Sequence, residues 1–215
     1  MKNTLYLFVG FVCCFTLAAP GEDYPFEPER DTFSDTALLD LRSLNEDVAG
    51  ESGWMQVNAE GDFIQGDGDP IRIWAVNCNV RGDALPRHAR WLAKRGVNMV
   101  RLHTTLRPRT NAGLQDVNRG TIRWIHEVVA AMKEEGVYTT VSPYWANTMR
   151  SDDGRWGVDW DGKHHALLFF DEDLQQAYKS WLRELFTTPS NALGGRTLAE
   201  EPALGIFQIQ NEDSL

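Results

Sequence analysis

Residues 85–103, LPRHARWLAKRGVNMVRLH, contain a helix, its stop and a strand in direct succession. Leu85, Ala89, Leu92 and Ala93 recur at helical spacing, Gly96 stands where a helix C-cap belongs, and Val97 to His103 reads as a strand. Residues 121–145, TIRWIHEVVAAMKEEGVYTTVSPYW, repeat the pattern. Ile122, Ile125, Val128, Val129 and Met132 line one helical face, Gly136 stops the helix, and Val137 to Val141 forms the next strand, ending in Ser142, Pro143, Tyr144 and Trp145. A helix, Gly, Val, strand cadence that recurs after roughly forty residues is what consecutive βα units produce, and crossover helices of this length favour parallel strands.

The same grammar extends in both directions. Upstream, Trp54 to Val57 and Asp62 to Gln65 read as short strands joined through Ala59, Glu60 and Gly61, and residues 66–70, GDGDP, are a dense turn signal. Ile71 to Val76 then reads as a strand ending in Asn77, so a small antiparallel hairpin cap leads into the first parallel strand. Downstream, a long loop from Tyr144 to about Phe170 carries Trp145, Trp156 and Trp160, and unstructured loops of that length usually bind something. Leu174, Ala177, Tyr178, Trp181, Leu182, Leu185 and Phe186 define an amphipathic helix with acids at its start. After a Pro- and Gly-rich link, the apolar run of Leu204, Ile206, Phe207 and Ile209 ends abruptly in Asn211 and Glu212. Trp91, Trp124 and Trp181 lie on helices and are expected in the packing.

Composition narrows the function. The 215 residues carry a net charge of -10, with a pI near 4.9. No basic stripe exists to neutralise phosphates, so nucleic acid is not an expected partner, and neutral or cationic substrates suit the surface better. Residues 1–21 read as a secretory signal: Lys2, an apolar run from Leu5 to Leu17, then Ala18 and Ala19 before Pro20. That run is short for a membrane span, so a secreted or periplasmic protein without stable membrane association is expected after cleavage. Cys13 and Cys14 leave with the signal, and Cys78 remains as a small buried hydrophobe. Residues 22–50 are read as a flexible lead-in and residues 51–215 as the folded domain. His164 and His165, as neighbours, point to opposite faces, no acid or His at ligand spacing completes a metal site, and no cofactor is expected.

In a parallel arrangement the C-terminal strand ends share one rim, which gathers Asn77 and Asn79, Arg101 and His103, Tyr144 and Trp145, and Asn211 and Glu212. Charged and amide groups beside flat aromatic faces suit a sugar, whose rings stack and whose hydroxyls need directional partners. The strand GVNMVRLH with Arg101, the helix DEDLQQAYKSWLRELF and the run AEEPALGIFQIQNE together resemble the N-terminal half of a clan A glycoside hydrolase, most similar to family 5, the cellulase and mannanase family. The resemblance covers about residues 50 to 215 and implies a (β/α)8 TIM barrel of which the first four βα units are present, preceded by the hairpin cap.

It further implies an exported retaining glycosidase acting on a β-linked polysaccharide or oligosaccharide. Glu212 takes the role of general acid/base, and Asn211 binds the sugar 2-hydroxyl. Arg101, His103, Tyr144 and Trp145 are the other expected substrate-side residues. Retention needs two carboxyl groups about 5 to 5.5 Å apart. The family draws the second from a later strand, so these residues are read as one half of a longer frame, inactive alone. The alternative is a degenerate or non-catalytic carbohydrate-binding barrel.

Overall fold

The strand expected at Val97 to His103 runs over Met99–His103 and sits near the middle of a parallel sheet. The computed structural model describes residues 29–34, 36–107, 113–145 and 165–213. The chain divides into two compact units, Met1–Ser34 and Asp35–Leu215. In the first unit, the backbone of Phe33 donates to Asp31 Oδ1 at 2.8 Å. The second unit carries the strands β1 (Gln56–Val57), β2 (Phe63–Ile64), β3 (Ala75–Asn77), β4 (Met99–His103), β5 (Tyr138–Ser142) and β6 (Leu204–Phe207). Its helices are α1 (Leu85–Ala93), α2 (Arg119–Lys133), α3 (Leu167–Phe170) and α4 (Glu172–Thr187). The signal at residues 1–21, with Cys13 and Cys14, lies outside the described residues, as do Trp156, Trp160 and His164.

β1 and β2 form a two-stranded antiparallel pair, and β3, β4, β5 and β6 form a parallel sheet in that order. Among the described residues this sheet is open and does not close into a barrel. Arg101 lies beside Asn77 on one side and Thr140 on the other, and His103 beside Ser142. Between β5 and β6 the register slips, so that Thr139 faces Leu204 and Thr140 faces Ile206. Gly205 is the extra residue of that bulge. A Cβ there would stand 2.8 Å from Met55 Cε and 3.0 Å from Met99 Cε.

The predicted helical faces are the buried ones. Leu85, Ala89, Leu92 and Ala93 of α1 and Ile122, Ile125, Val128, Val129 and Met132 of α2 enter one core. Asn118 caps α2 by accepting from the Thr121 amide at 3.1 Å, and Asp171 caps α4 by accepting from the Leu174 amide at 2.6 Å. Trp181 and Trp124 are buried. Trp91 departs from the expectation: it lies on the outer face of α1, where the Arg95 guanidinium stacks 3.7 Å from its ring centroid.

The strand expected over Ile71 to Val76 is also shorter. Asn98 explains this: its Oδ1 accepts from the Trp74 amide at 2.8 Å and its Nδ2 donates to the Arg72 carbonyl at 2.8 Å. The Asn98 side chain thus takes up backbone groups there while its own amide donates to the Trp74 carbonyl at 3.2 Å, and Ala75–Asn77 pair with β4.

The N-terminal ends of the strands are closed by residues 41–52. Leu41 N donates to Lys94 O at 3.0 Å, and Ala49 N to Lys133 O at 2.9 Å. The Asn45 side chain donates to Val97 O at 3.0 Å. Glu46 accepts from the Gly50 amide and from the Ser52 and Tyr138 hydroxyls. Gly136 has φ +69, and a Cβ on it would fall 1.9 Å from the Glu46 carbonyl oxygen, so the close approach of this segment requires glycine. Next to it Glu201, fully buried, accepts from Lys133 Nζ at 2.9 and 3.1 Å and from Arg196 Nη2 at 2.8 Å.

Two consequences are measurable. Lys133→Met removes one of two cations from a buried carboxylate and is expected to lower the unfolding free energy in urea by about 3 kcal/mol. His126, 2 % exposed, donates Nε2–H to the Leu185 carbonyl at 3.0 Å. Burial holds it below the ordinary imidazole range, only partly offset by that carbonyl. The unfolded chain therefore takes up the proton first. Stability is fully present above the unfolded value of about 6.5 and is lost as pH falls from there towards the lower folded value. Thermal midpoints between pH 7.5 and 5 should show this loss, and His126→Gln should flatten it.

Candidate active site

The C-terminal rim of the sheet is organised by Arg101, which occupies the third position of β4 and projects beside β3 and β5. A guanidinium only donates. Its Nε and Nη2 donate to Gln208 Oε1 at 3.0 and 2.9 Å, and Nη2 also donates to Asn211 Oδ1 at 2.8 Å. Longer contacts of 3.5 Å reach Asn77 Oδ1 and Ser142 Oγ. The amide oxygens of Gln208 and Asn211 must therefore both face Arg101.

That requirement propagates. With its oxygen turned to Arg101, Asn211 directs Nδ2 at His103 Nε2, 3.3 Å away. Nε2 then has to accept, so the ring proton sits on Nδ1 and is donated to Ser142 Oγ at 3.0 Å. Burial, followed by the Arg101 charge, pushes His103 below the ordinary imidazole range, while hydrogen bonding at Ser142 and the Glu212 carboxylate act in the opposite sense. A neutral Nδ1–H imidazole satisfies every partner in the row.

Glu212 follows directly on Asn211, which bridges in parallel to Trp145. It is exposed, with φ +48, a left-handed conformation that costs a non-glycine residue roughly 1 to 2 kcal/mol. Two contacts of Glu212 and two of Asp213 hold it there. Trp145 Nε1 donates to its Oε2 at 3.2 Å, and His165 Nδ1 lies 3.1 Å from its carbonyl oxygen. The neighbouring Asp213 accepts from the Ala166 amide and from Gln210. The Trp145 ring also leans on His103, with centroids 4.9 Å apart. Arg101 spends its short bonds on Gln208 and Asn211, so the Glu212 carboxylate stays at the rim with an indole N–H as its partner.

Five of the six residues expected here therefore converge: Arg101, His103, Trp145, Asn211 and Glu212. Tyr144 does not reach the opening. It is 1 % exposed and packs on Tyr178 with centroids 5.1 Å apart, which turns it into the core. Burial pushes its phenol well above the ordinary range, so it stays neutral. Gln208, Ser142 and His165 are participants that sequence reading missed. Gln208 carried a signal, a polar residue in step with Ile206 and Gln210 within an apolar run. His165, read there only as completing no metal site, carries no such signal in its surroundings.

No family model and no curated protein matches the sequence. Among solved structures, the chain resembles the endo-1,4-β-mannanase of Rhizomucor miehei with a TM-score of 0.59 and 12% identity, over 74% of this chain and 48% of that one. Similar in outline are an endo-1,4-β-D-mannanase of Thermotoga petrophila (0.48, 19% identity, 66% of this chain, 45% of that one) and a glycoside hydrolase family 5 mannosidase of Rhizomucor miehei (0.46, 13%, 75% and 49%). The chain spans about half the length of the structures it matches, and at these identities the likeness is one of fold.

A carboxylate held at a strained backbone position for its chemistry should be dispensable for stability. Glu212→Gly is expected to leave the unfolding free energy unchanged or to raise it by up to about 1 kcal/mol through relief of the left-handed strain. A loss above about 1 kcal/mol in urea melts would assign Glu212 to the scaffold instead.

Proposed function

We propose that the protein is an exported retaining glycoside hydrolase acting on the O-glycosidic bonds of a β-linked polysaccharide or oligosaccharide, and that residues 51–215 form the first four βα units of its TIM barrel behind the hairpin cap. The observation that carries this reading is the adjacency of Asn211 and Glu212 at the C-terminal end of β6, joined through Arg101 to β4, on the rim where parallel barrels place their chemistry. Glu212 acts as general acid on the leaving oxygen and then as general base on water. The nucleophilic carboxylate belongs to a later strand, about 5 to 5.5 Å from Glu212 in the complete site. Asn211 binds the sugar 2-hydroxyl, and Trp145 offers an indole face beside the acid. β-Mannan is a first substrate to try, since the structure matched at a TM-score of 0.59 is a mannanase.

In the product of the complete reading frame, Glu212→Gln is expected to lower kcat on a glycoside with a poor leaving group by roughly 10²- to 10⁴-fold. The product anomer, followed by NMR, should retain its configuration. Near-normal turnover in the variant removes Glu212 from the role. Binding of manno-oligosaccharide without any turnover by the unaltered protein supports the non-catalytic carbohydrate-binding barrel.

A further inference from the structure

An amide side chain has two faces of nearly equal shape and opposite hydrogen-bonding sense, so a site that reads a hydroxyl through an asparagine must prevent the amide from turning over. At Asn211 two neighbours do this from opposite sides. On the oxygen side, Arg101 donates at 2.8 Å and Gln208 Nε2 at 3.3 Å. Gln208 also takes the Nε and Nη2 donors of the same guanidinium on its Oε1, which keeps Arg101 aimed. On the nitrogen side stands Nε2 of His103, whose ring proton sits on Nδ1 and is taken by Ser142 Oγ at 3.0 Å. Turned over, Asn211 would face a cation with its N–H2 group and a lone pair with its oxygen. Both contacts would be repulsive.

We propose that Gln208 and His103 are positioning residues that lock the Asn211 amide with its oxygen inward, so that Nδ2 is the group offered to a ligand. His103 takes one of the two Nδ2 hydrogens. No other acceptor is seated on Nδ2 among the described residues. The site therefore donates to a ligand oxygen and recognises a hydroxyl by its lone pair. The identity of that ligand as a sugar rests on the glycosidase reading, whereas the lock itself rests on the network alone.

The lock has a spectroscopic signature that a merely structural role for Gln208 would not move. In the full chain labelled with ¹⁵N and ¹³C at histidine, in solution or sedimented for magic-angle spinning, long-range ¹H–¹⁵N correlations at pH 7.5 should show His103 as the Nδ1–H tautomer. His126, which donates through Nε2 to Leu185, should show the opposite tautomer and serves as the internal marker of a folded core. Gln208→Leu and Arg101→Met each release the oxygen side. With His126 unchanged, each should raise the Nε2–H population of His103 by at least about tenfold, the effect of losing a hydrogen bond to a charged group. A wild-type His103 that is Nε2–H or protonated overturns the proposal, as does an unaltered Nδ1–H tautomer in both folded variants. Should one variant lose the His126 signature, the other still reports on the same lock, and the wild-type tautomer alone can overturn it. Activity enters none of these readings, so their failure is distinct from that of the glycosidase assignment.

Discussion

A guanidinium cannot accept a hydrogen bond, and the rim of this sheet is built on that limitation. Arg101 projects from the middle of β4, and the parallel register sets it level with Asn77 and Thr140, with Ser142 two residues further along β5. Every group it meets must present an oxygen. Gln208 and Asn211 therefore have one amide orientation each, His103 has one tautomer, and Ser142 Oγ accepts from His103 and, at longer range, from Arg101. Residues from β4, β5 and the segment after β6 become a single unit whose hydrogen-bonding senses are mutually determined. Interior hydrogen bonds of this kind reinforce one another, and partial satisfaction is costly.

Strain and stability are separated along the strand axis. At the N-terminal ends the contacts are dense and saturated: Glu46 carries backbone and hydroxyl donors, Glu201 carries two cations, and Gly136 lets a loop approach closely. At the C-terminal ends Glu212 stands exposed in a left-handed conformation, held by an indole and by the bonds of Asp213 and His165 around it. This division matches the general character of parallel α/β barrels, in which one end of the strands holds the fold and the other carries the chemistry.

Much of this was legible from periodicity. The faces of α1 and α2, the glycines that end them and the order of the parallel strands follow from side-chain spacing, since a residue's burial is set first by its position in the local repeat. Local chemistry also marks the place where the apolar run ends in Asn211 and Glu212. Apart from Trp91, whose partner Arg95 is local, the misses share one cause, a partner distant in the chain. The shortening of the first parallel strand depends on Asn98, which lies 24 residues from Trp74 and 26 from Arg72. The inward turn of Tyr144 depends on Tyr178, and the recruitment of His165 on the backbone of Glu212.

The sequence by itself determined the buried faces of α1, α2 and α4 and the polar side chains that follow the strands, because those properties are settled by neighbours a few positions away, although Leu167–Phe170, read as loop, folds as α3. Only the tertiary structure decided how the polar residues face one another. Gln208 meets Arg101 across 107 positions, and Asn211 meets His103 across 108. A hydrogen bond depends on which atom is opposite, so the sense of each amide and the tautomer of His103 existed only once the strands had brought Arg101 among them.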